Sequence, residues 1–233
     1  MKIPAISVFF PAYNEAKNIK KTVTKAVKVL DKITRKWEII VINDGSTDKT
    51  GQVVKKLIKE SPRISMITHI PNKGYGAALK TGLYNCKYSW IVFTDADGQF
   101  DFTEIDQFLE KRDKADLIIG YRLQRCDPPG RVFIAKLLKI WNFLFFGIWF
   151  RDADCGFKLI KKEVVDKIGT LKTESAITET EFLVRAKRAG FKILEIPVYH
   201  HPRKEGEQTG GNISVIGKAI KESFNLWKSL KGF

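Results

Sequence analysis

Apolar residues recur along this 233-residue chain in two rhythms. Short unbroken runs at residues 5–10, 37–42, 64–68, 90–93 and 116–119 predict buried strands, WEIIVI at 37–42 being the clearest. Between them, apolar positions return every three or four residues, which predicts helices over 18–32, 48–60, 76–87 and 102–112. In the first of these Ile19, Val23, Ala26, Val27 and Leu30 share one face, and Asp48 is suited to cap the second. This alternation predicts an α/β fold, a mostly parallel sheet covered by helices on both faces.

The second half is less regular. A loop carrying Arg122, Arg125 and Arg131 leads into an apolar helix at 132–150. Residues 152–160 read as strand or turn, 161–168 and 178–189 as helices, 192–199 as a strand, 201–212 as a polar loop and 213–230 as a final helix. In the 132–150 helix Lys136, Lys139 and Asn142 form a narrow polar stripe, and Trp141, Phe143, Phe145, Phe146 and Trp149 make the remainder aromatic. The two lysines break the run below the length of a membrane span. The composition points to a segment lying in a membrane interface rather than to a core helix or a dimer contact. No internal repeat or long linker divides the chain, so a single domain over 1–233 is expected.

Charge narrows the partners. Lys and Arg exceed Asp and Glu by 41 to 26, a net charge of +15, which favours an anionic ligand: nucleic acid, an acidic membrane surface or a phosphorylated metabolite. No aromatic RNA-binding motif or helix-turn-helix pattern accompanies the charge, so nucleic acid is not expected. Cys86, Cys126 and Cys155 lack a CxxC spacing, which argues against a disulfide framework or a zinc site and for a reducing, cytoplasmic setting. The first fifteen residues read as a strand rather than a signal peptide.

In parallel sheets ligands bind beyond the carboxyl ends of the strands. Polar segments follow the first four predicted strands there: PAYNE, NDGSTD, NKGYG and DADGQ. Asp95 and Asp97, with Gln99 two residues on, present hard oxygens suited to Mg²⁺ or Mn²⁺ shared with phosphates. Lys73 and Gly76 belong to a glycine-containing loop before a helix, where backbone can approach phosphate. The loop is neither a dinucleotide fingerprint nor a Walker loop. His200 and His201 are adjacent and would face opposite sides of a strand, which argues against a two-His metal site.

PAYNE, NDGSTD, NKGYGAALKTG, DADGQ, CGFKL and HPRKEG, in this order, resemble the family 2 glycosyltransferases with a GT-A (Rossmann-like) fold, and among them the dolichyl-phosphate mannose and glucose synthases. The resemblance implies a nucleotide-sugar half at 1–121 and an acceptor half at 122–233. It implies that Pro11, Ala12, Tyr13, Glu15, Asn43, Asp44, Lys73, Gly76, Asp95, Ala96 and Asp97 bind the nucleotide sugar. Asn43 stands where the family usually has a first Asp. Asp95, Asp97 and Gln99 would hold the metal. Arg122, Arg131, Asp154, Lys158, Arg203 and Lys204 would meet the acceptor, and Asp97, Arg122, Arg203 and either Glu179 or Glu181 would serve catalysis.

The implied reaction is inverting hexosyl transfer from a UDP- or GDP-sugar to a polyprenyl or dolichyl monophosphate, by a protein peripheral to the inner face of the membrane. A rival is transfer to a glycan hydroxyl, which would need Glu179, Glu181 or Asp154 as base. Two others are a nucleotidyltransferase, whose Gly-rich N-terminal loop is missing, and a basic nucleic-acid-binding module.

Overall fold

In a computed structural model, which describes residues 5–124, 126, 129–203, 205, 206 and 213–231, seven strands form one sheet. They are β1 (Ile6–Ala12), β2 (Trp37–Asn43), β3 (Ile64–Thr68), β4 (Trp90–Thr94), β5 (Leu117–Arg122), β6 (Phe157–Lys161) and β7 (Ile193–Val198), in the order β3-β2-β1-β4-β6-β5-β7. All neighbours run parallel except β6, which is antiparallel to both β4 and β5. The sheet runs through both halves of the chain, so the α/β architecture is a single domain.

Side-chain alternation along the strands builds two cores. Val8 and Phe10 of β1 point to one face, where α1 (Ile19–Ile33), α2 (Thr50–Glu60) and α4 (Ile105–Glu110) pack. Phe9 points to the other, covered by α3 (Tyr75–Asn85), α6 (Lys162–Ile168), α7 (Ile177–Arg188) and the ends of α5 (Pro129–Phe146) and α8 (Ile213–Lys231). The helix expected over 102–112 is a 3₁₀ turn, Phe102–Glu104, followed by the short α4. Asp48, expected to cap α2, lies one residue before its N-cap position Lys49 and accepts the Thr50 N–H at 2.8 Å.

Two expectations about the second half change. The 152–160 segment divides into a turn at 152–156 and the strand β6, which threads between β4 and β5. The apolar helix spans 129–146 rather than 132–150, and Asn142 does not belong to its polar stripe. Asn142 is buried, and its Nδ2 donates to Thr180 Oγ1 of α7 at 3.1 Å. Six residues advance a helix by about 600°, so Asn142 lies about 120° around the axis from Lys136. Among the described residues no helix is long and apolar enough to cross a membrane.

Candidate active site

The ends of β1, β2 and β4 meet on one rim, each fixed by its own polar segment. Asp44, just past β2, is buried, and its Oδ1 accepts the Lys73 N–H at 3.0 Å while Oδ2 accepts the Gly74 N–H at 2.8 Å. His69 bridges Asp44 Oδ1 (2.6 Å from Nδ1) and Thr81 Oγ1 (3.0 Å from Nε2). Asp44 thus draws the 72–74 loop against β2. Asn43 Oδ1 accepts the Ser46 N–H at 3.2 Å, and Ala12, next to buried Pro11, accepts the Asp44 N–H at 2.9 Å. Tyr13 lies partly exposed at the mouth. Asn14, not singled out from sequence, has φ 56° and its Oδ1 accepts from the Thr47 N–H at 2.9 Å, clamping the NDGSTD loop to β1. Asn is among the few residues that tolerate this backbone region.

Gly76 has a different role from the one expected. A Cβ there would lie 2.1 Å from Thr178 Oγ1 and 2.5 Å from the Glu174 carbonyl carbon, so the missing side chain lets α3 seat against α7 rather than opening a path to phosphate. The Lys73 side chain is exposed beside it.

Asp95 and Asp97 follow β4, with buried Ala96 between them. Because β6 pairs with β4, the Asp95 N–H donates to Gly156 O at 3.2 Å and CGFKL comes to lie against DADGQ. Burial, with Asp97 and Glu179 adding like charge, pushes the Asp95 carboxyl well above the usual range. Among the described residues no three His, Cys, Asp or Glu side chains converge as a self-contained metal site. Two crowded carboxylates fit a hard divalent cation that completes its shell with diphosphate and water. Gln99 is tied into the fold through its amide nitrogen and its backbone: Nε2 donates to His201 O at 3.0 Å and the backbone carbonyl accepts the His201 N–H at 2.8 Å, joining the exit of β7 to the segment after β4.

The two candidate acids on α7 separate cleanly. Glu179 faces the site, taking the Tyr75 hydroxyl on Oε1 at 2.8 Å and the Lys158 ammonium on Oε2. The same Tyr75 hydroxyl lies 3.5 Å from Asp95 Oδ1. Glu181, two residues on, is turned away by the helical twist. It accepts the Lys172 and Thr173 N–H groups at 2.9 and 2.8 Å and pairs with Arg185 at 2.7 Å, so it secures the 172–173 turn and is corrected as a catalytic candidate. Lys158 is also corrected: it is 2% exposed and locked beneath Glu179, out of reach of an acceptor.

The expected cations split as well. Arg122 is committed to Asp152 by a bidentate pair, Nε–Oδ2 2.6 Å and Nη2–Oδ1 2.7 Å, and Nη2 also reaches Asp154 O at 3.2 Å. That places it in the wall of the site rather than at its surface. Burial works against its charge, yet the Asp152 pair holds the guanidinium above its ordinary value. Arg203 pairs with Glu15 at 2.5 Å and with Asp97 at 3.4 Å, so it joins the segment after β1 to the segment after β4. Glu15 is held above the usual carboxylate range by burial, which its bonds to Asn18 and Arg203 only partly offset. Asp154 lies beside Arg122, Asp152 and Glu179, its carboxyl raised to about 7 by burial and by Glu179 and Asp152. Lys204 and residues 207–212 lie outside the described residues, and the Arg131 side chain is likewise outside them.

Carboxylates and cations gather where parallel strands end, around a loop pinned to buried Asp44, the rim at which sheets of this kind take their ligands. The chain belongs to glycosyl transferase family 2, whose model matches residues 7–169, and it is a glycosyltransferase of the hexosyltransferase type.

Among its relatives, a dolichyl-phosphate beta-glucosyltransferase of Trichomonas vaginalis is 33% identical over 96% of this chain and 72% of its own length. That of Saccharomyces cerevisiae is 30% identical over 95% of this chain and 72% of its own. Glucosyl-3-phosphoglycerate synthase from Mycobacterium tuberculosis, solved with Mn²⁺, UDP and phosphoglyceric acid, shares the fold with a TM-score of 0.72 at 18% identity, over 97% of this chain and 78% of that one. A mannosyltransferase from Pyrobaculum calidifontis, solved with GDP-Man and Mn²⁺, has a TM-score of 0.64 at 17% identity, over 95% and 64%.

Proposed function

We propose that this protein transfers a hexose, with inversion, from a UDP- or GDP-sugar to a polyprenyl or dolichyl monophosphate at a membrane surface, with Mg²⁺ or Mn²⁺ bound at Asp95 and Asp97. The relatives are dolichyl-phosphate glucosyltransferases by name, and the fold neighbours were solved with Mn²⁺ and UDP or GDP-Man. A divalent cation held by Asp95 and Asp97 supplies charge neutralisation for the departing nucleoside diphosphate. Arg203 draws Glu15 and Asp97 together and orients the diphosphate end of the donor. Arg122, fixed by Asp152, shapes the wall.

The observation that carries the choice of acceptor is the closure of Glu179. Each of its oxygens already takes a donor, Tyr75 or Lys158, so Glu179 is not poised to strip a proton from a hydroxyl, and transfer to a glycan hydroxyl is left with Asp154 alone as its base. A phosphate monoester needs no such base, because its second pKa of about 6 leaves an ionised oxygen near neutrality.

The membrane reading rests on α5 and α8, which pack together through Trp141 Nε1 to Ser223 Oγ at 2.6 Å and through Phe145 on Trp227. Ile134, Leu137, Ile140, Phe143 and Leu144 of α5 and Ile220 and Phe224 of α8 are exposed, flanked by Lys136, Lys218, Lys221 and Lys228. Apolar side chains edged by lysine suit an anionic leaflet such as the inner, cytoplasmic face.

The test is a panel of UDP- and GDP-sugars with Mg²⁺ or Mn²⁺, scored by thermal shift and then by transfer to a short polyprenyl phosphate. One donor should stabilise the fold and support transfer, and Asp97→Asn should abolish transfer with the melting temperature retained. Robust transfer to a free sugar with none to the lipid phosphate overturns the acceptor. Activity that survives thorough chelation overturns the metal.

A further inference from the structure

We propose that Asp154 selects the donor sugar: its carboxylate accepts a hydrogen bond from a hydroxyl of a neutral hexose, and the acids around it exclude donors whose sugar is a uronic acid. This deepens the donor half of the function proposed above and rests on it only for the existence of a nucleotide-sugar donor.

Three observations meet at this residue. The first is position. Asp154 lies two residues before Gly156, whose carbonyl accepts the Asp95 N–H, so the 152–156 turn forms the flank of the metal and diphosphate segment. The transferred sugar is bonded to the distal phosphate of the donor and must lie against such a flank. The turn is rigid, with Asp152 held bidentately by Arg122, the Arg122 Nη2 donating to Asp154 O, and the Cys155 N–H donating to Asp152 O at 3.2 Å.

The second is an unspent acceptor. Asp154 Oδ1 is buried with no hydrogen-bond partner among the described residues. Its acidic neighbours are satisfied: Asp152 by Arg122, and Glu179 by Tyr75 and Lys158. A buried carboxylate oxygen without a donor is costly, and nothing in the turn requires one there. It calls for a ligand that brings a hydrogen-bond donor. An ionised phosphate has no proton to give a carboxylate oxygen, whereas a hexose presents several hydroxyls.

The third is charge. With Asp95 and Asp97 set against a divalent cation, Asp152, Asp154 and Glu179 still outnumber Arg122 and Lys158 by one. A uronate would add a further negative charge to this wall. Repulsion of the wrong partner is an effective source of selectivity.

The test uses the full chain with Mn²⁺ and three forms of residue 154: wild type, Asp154→Asn and Asp154→Ala. UDP and GDP are titrated alone, followed by the glucose and glucuronate conjugates of whichever nucleotide binds, and transfer to a short polyprenyl phosphate is followed in parallel. Both variants should fold with melting temperatures no lower than wild type, since each removes an uncompensated charge. Nucleotide affinity should stay within about twofold. For Asp154→Ala, kcat/KM for the hexose donor should fall roughly ten- to a hundredfold, the loss of one hydrogen bond to a charged group. The preference for glucose over glucuronate should fall at least about tenfold in both variants, with hexose use reduced less by Asn, which keeps an acceptor oxygen.

An unchanged glucose-to-glucuronate preference in both variants overturns the proposal. So does a loss of nucleotide affinity that matches the loss with sugar attached, or a loss equal for every donor together with disappearance of one limb of the pH–rate profile, the mark of a general base. If wild type binds the donors but transfers nothing to the lipid phosphate, the acceptor reading fails, and the binding preference still decides the role of Asp154.

Discussion

Gly156 and Asp95 occupy the same space to within an atom: a Cβ on residue 156 would lie 2.0 Å from Asp95 Oδ2 and 2.5 Å from its carboxyl carbon. The carboxylate expected to hold the metal therefore rests directly on the backbone of the turn that leads into β6, a segment contributed by the second half of the chain. Gly156→Ala should force Asp95 aside. We expect transfer to fall by at least about tenfold with a rise in the Mn²⁺ concentration needed, and overpacking to cost about 1–3 kcal/mol. Combining it with Asp95→Ala removes the clash, so the melting temperature should recover while activity stays lost. A single variant with wild-type metal dependence would contradict this contact.

The pH dependence of stability offers a second check, on Asp154. Its carboxyl moves from an ordinary 3.8 to about 7 in the folded chain, through burial first and then Glu179 and Asp152. The folded state therefore binds the proton more tightly than the unfolded one. The stability that this confers is full at low pH and is lost as pH rises from about 4 to about 7. Asp154→Asn cannot titrate, so in ligand-free calorimetry the wild-type melting temperature should fall relative to the variant between pH 4.5 and 7.5. A difference that is flat across that range would count against a buried, raised Asp154.

What was legible in the sequence followed the range of the interactions concerned. The strand at 64–68 and the buried face of α1, Ile19, Val23, Ala26 and Leu30, are local patterns and appear where expected. DADGQ and CGFKL were visible as motifs, but their contact depends on β6 inserting antiparallel between β4 and β5, a pairing of residues more than sixty apart. Glu179 and Glu181 are equivalent on paper, and only the docking of α7 decides that one faces Tyr75 and the other the 172–173 turn. Lys158 carries the right chemistry to meet an anionic ligand, yet the fold spends it on Glu179, and only the Gln99 amide nitrogen is engaged, by His201 O.

Membrane binding can be tested on α5 directly. Trp141 is unsuitable as a probe, because it is hydrogen-bonded to Ser223 and stacked on Phe145. Phe143, Leu144 and Trp149 are exposed at 52%, 69% and 57%. Phe143→Ser with Leu144→Ser should leave the fold intact and reduce flotation with anionic liposomes at least about tenfold, since full burial of each apolar side chain is worth about 1.5–3 kcal/mol. Raising salt should weaken wild-type binding, as the lysine contribution is screened over about 8 Å at physiological ionic strength. Unaltered flotation of the double variant would remove α5 from the membrane contact.

The last prediction concerns Arg203, which the motif placed with the acceptor and the geometry places between Glu15 and Asp97. Its Nε also donates to Glu205 O at 2.9 Å, and Glu205 is held to the start of α1 by Lys17 at 2.8 Å and by Asn18 at 3.1 Å. One guanidinium thus closes the segment after β7 over the segment after β1. Arg203→Ala would leave Glu15 buried with one donor fewer, so its carboxyl should rise further, and the two segments should separate. Because both partners belong to the donor side, nucleotide affinity should fall roughly ten- to a hundredfold, the scale of a lost charged hydrogen bond. Half-saturation by the lipid phosphate should change less. Arg203→Lys keeps the charge but not the fork that spans two carboxylates, and should fall between the two. Nucleotide titration with Mn²⁺, set beside steady-state assays varying each substrate, separates the cases: an acceptor KM raised with nucleotide affinity intact would return Arg203 to the acceptor side.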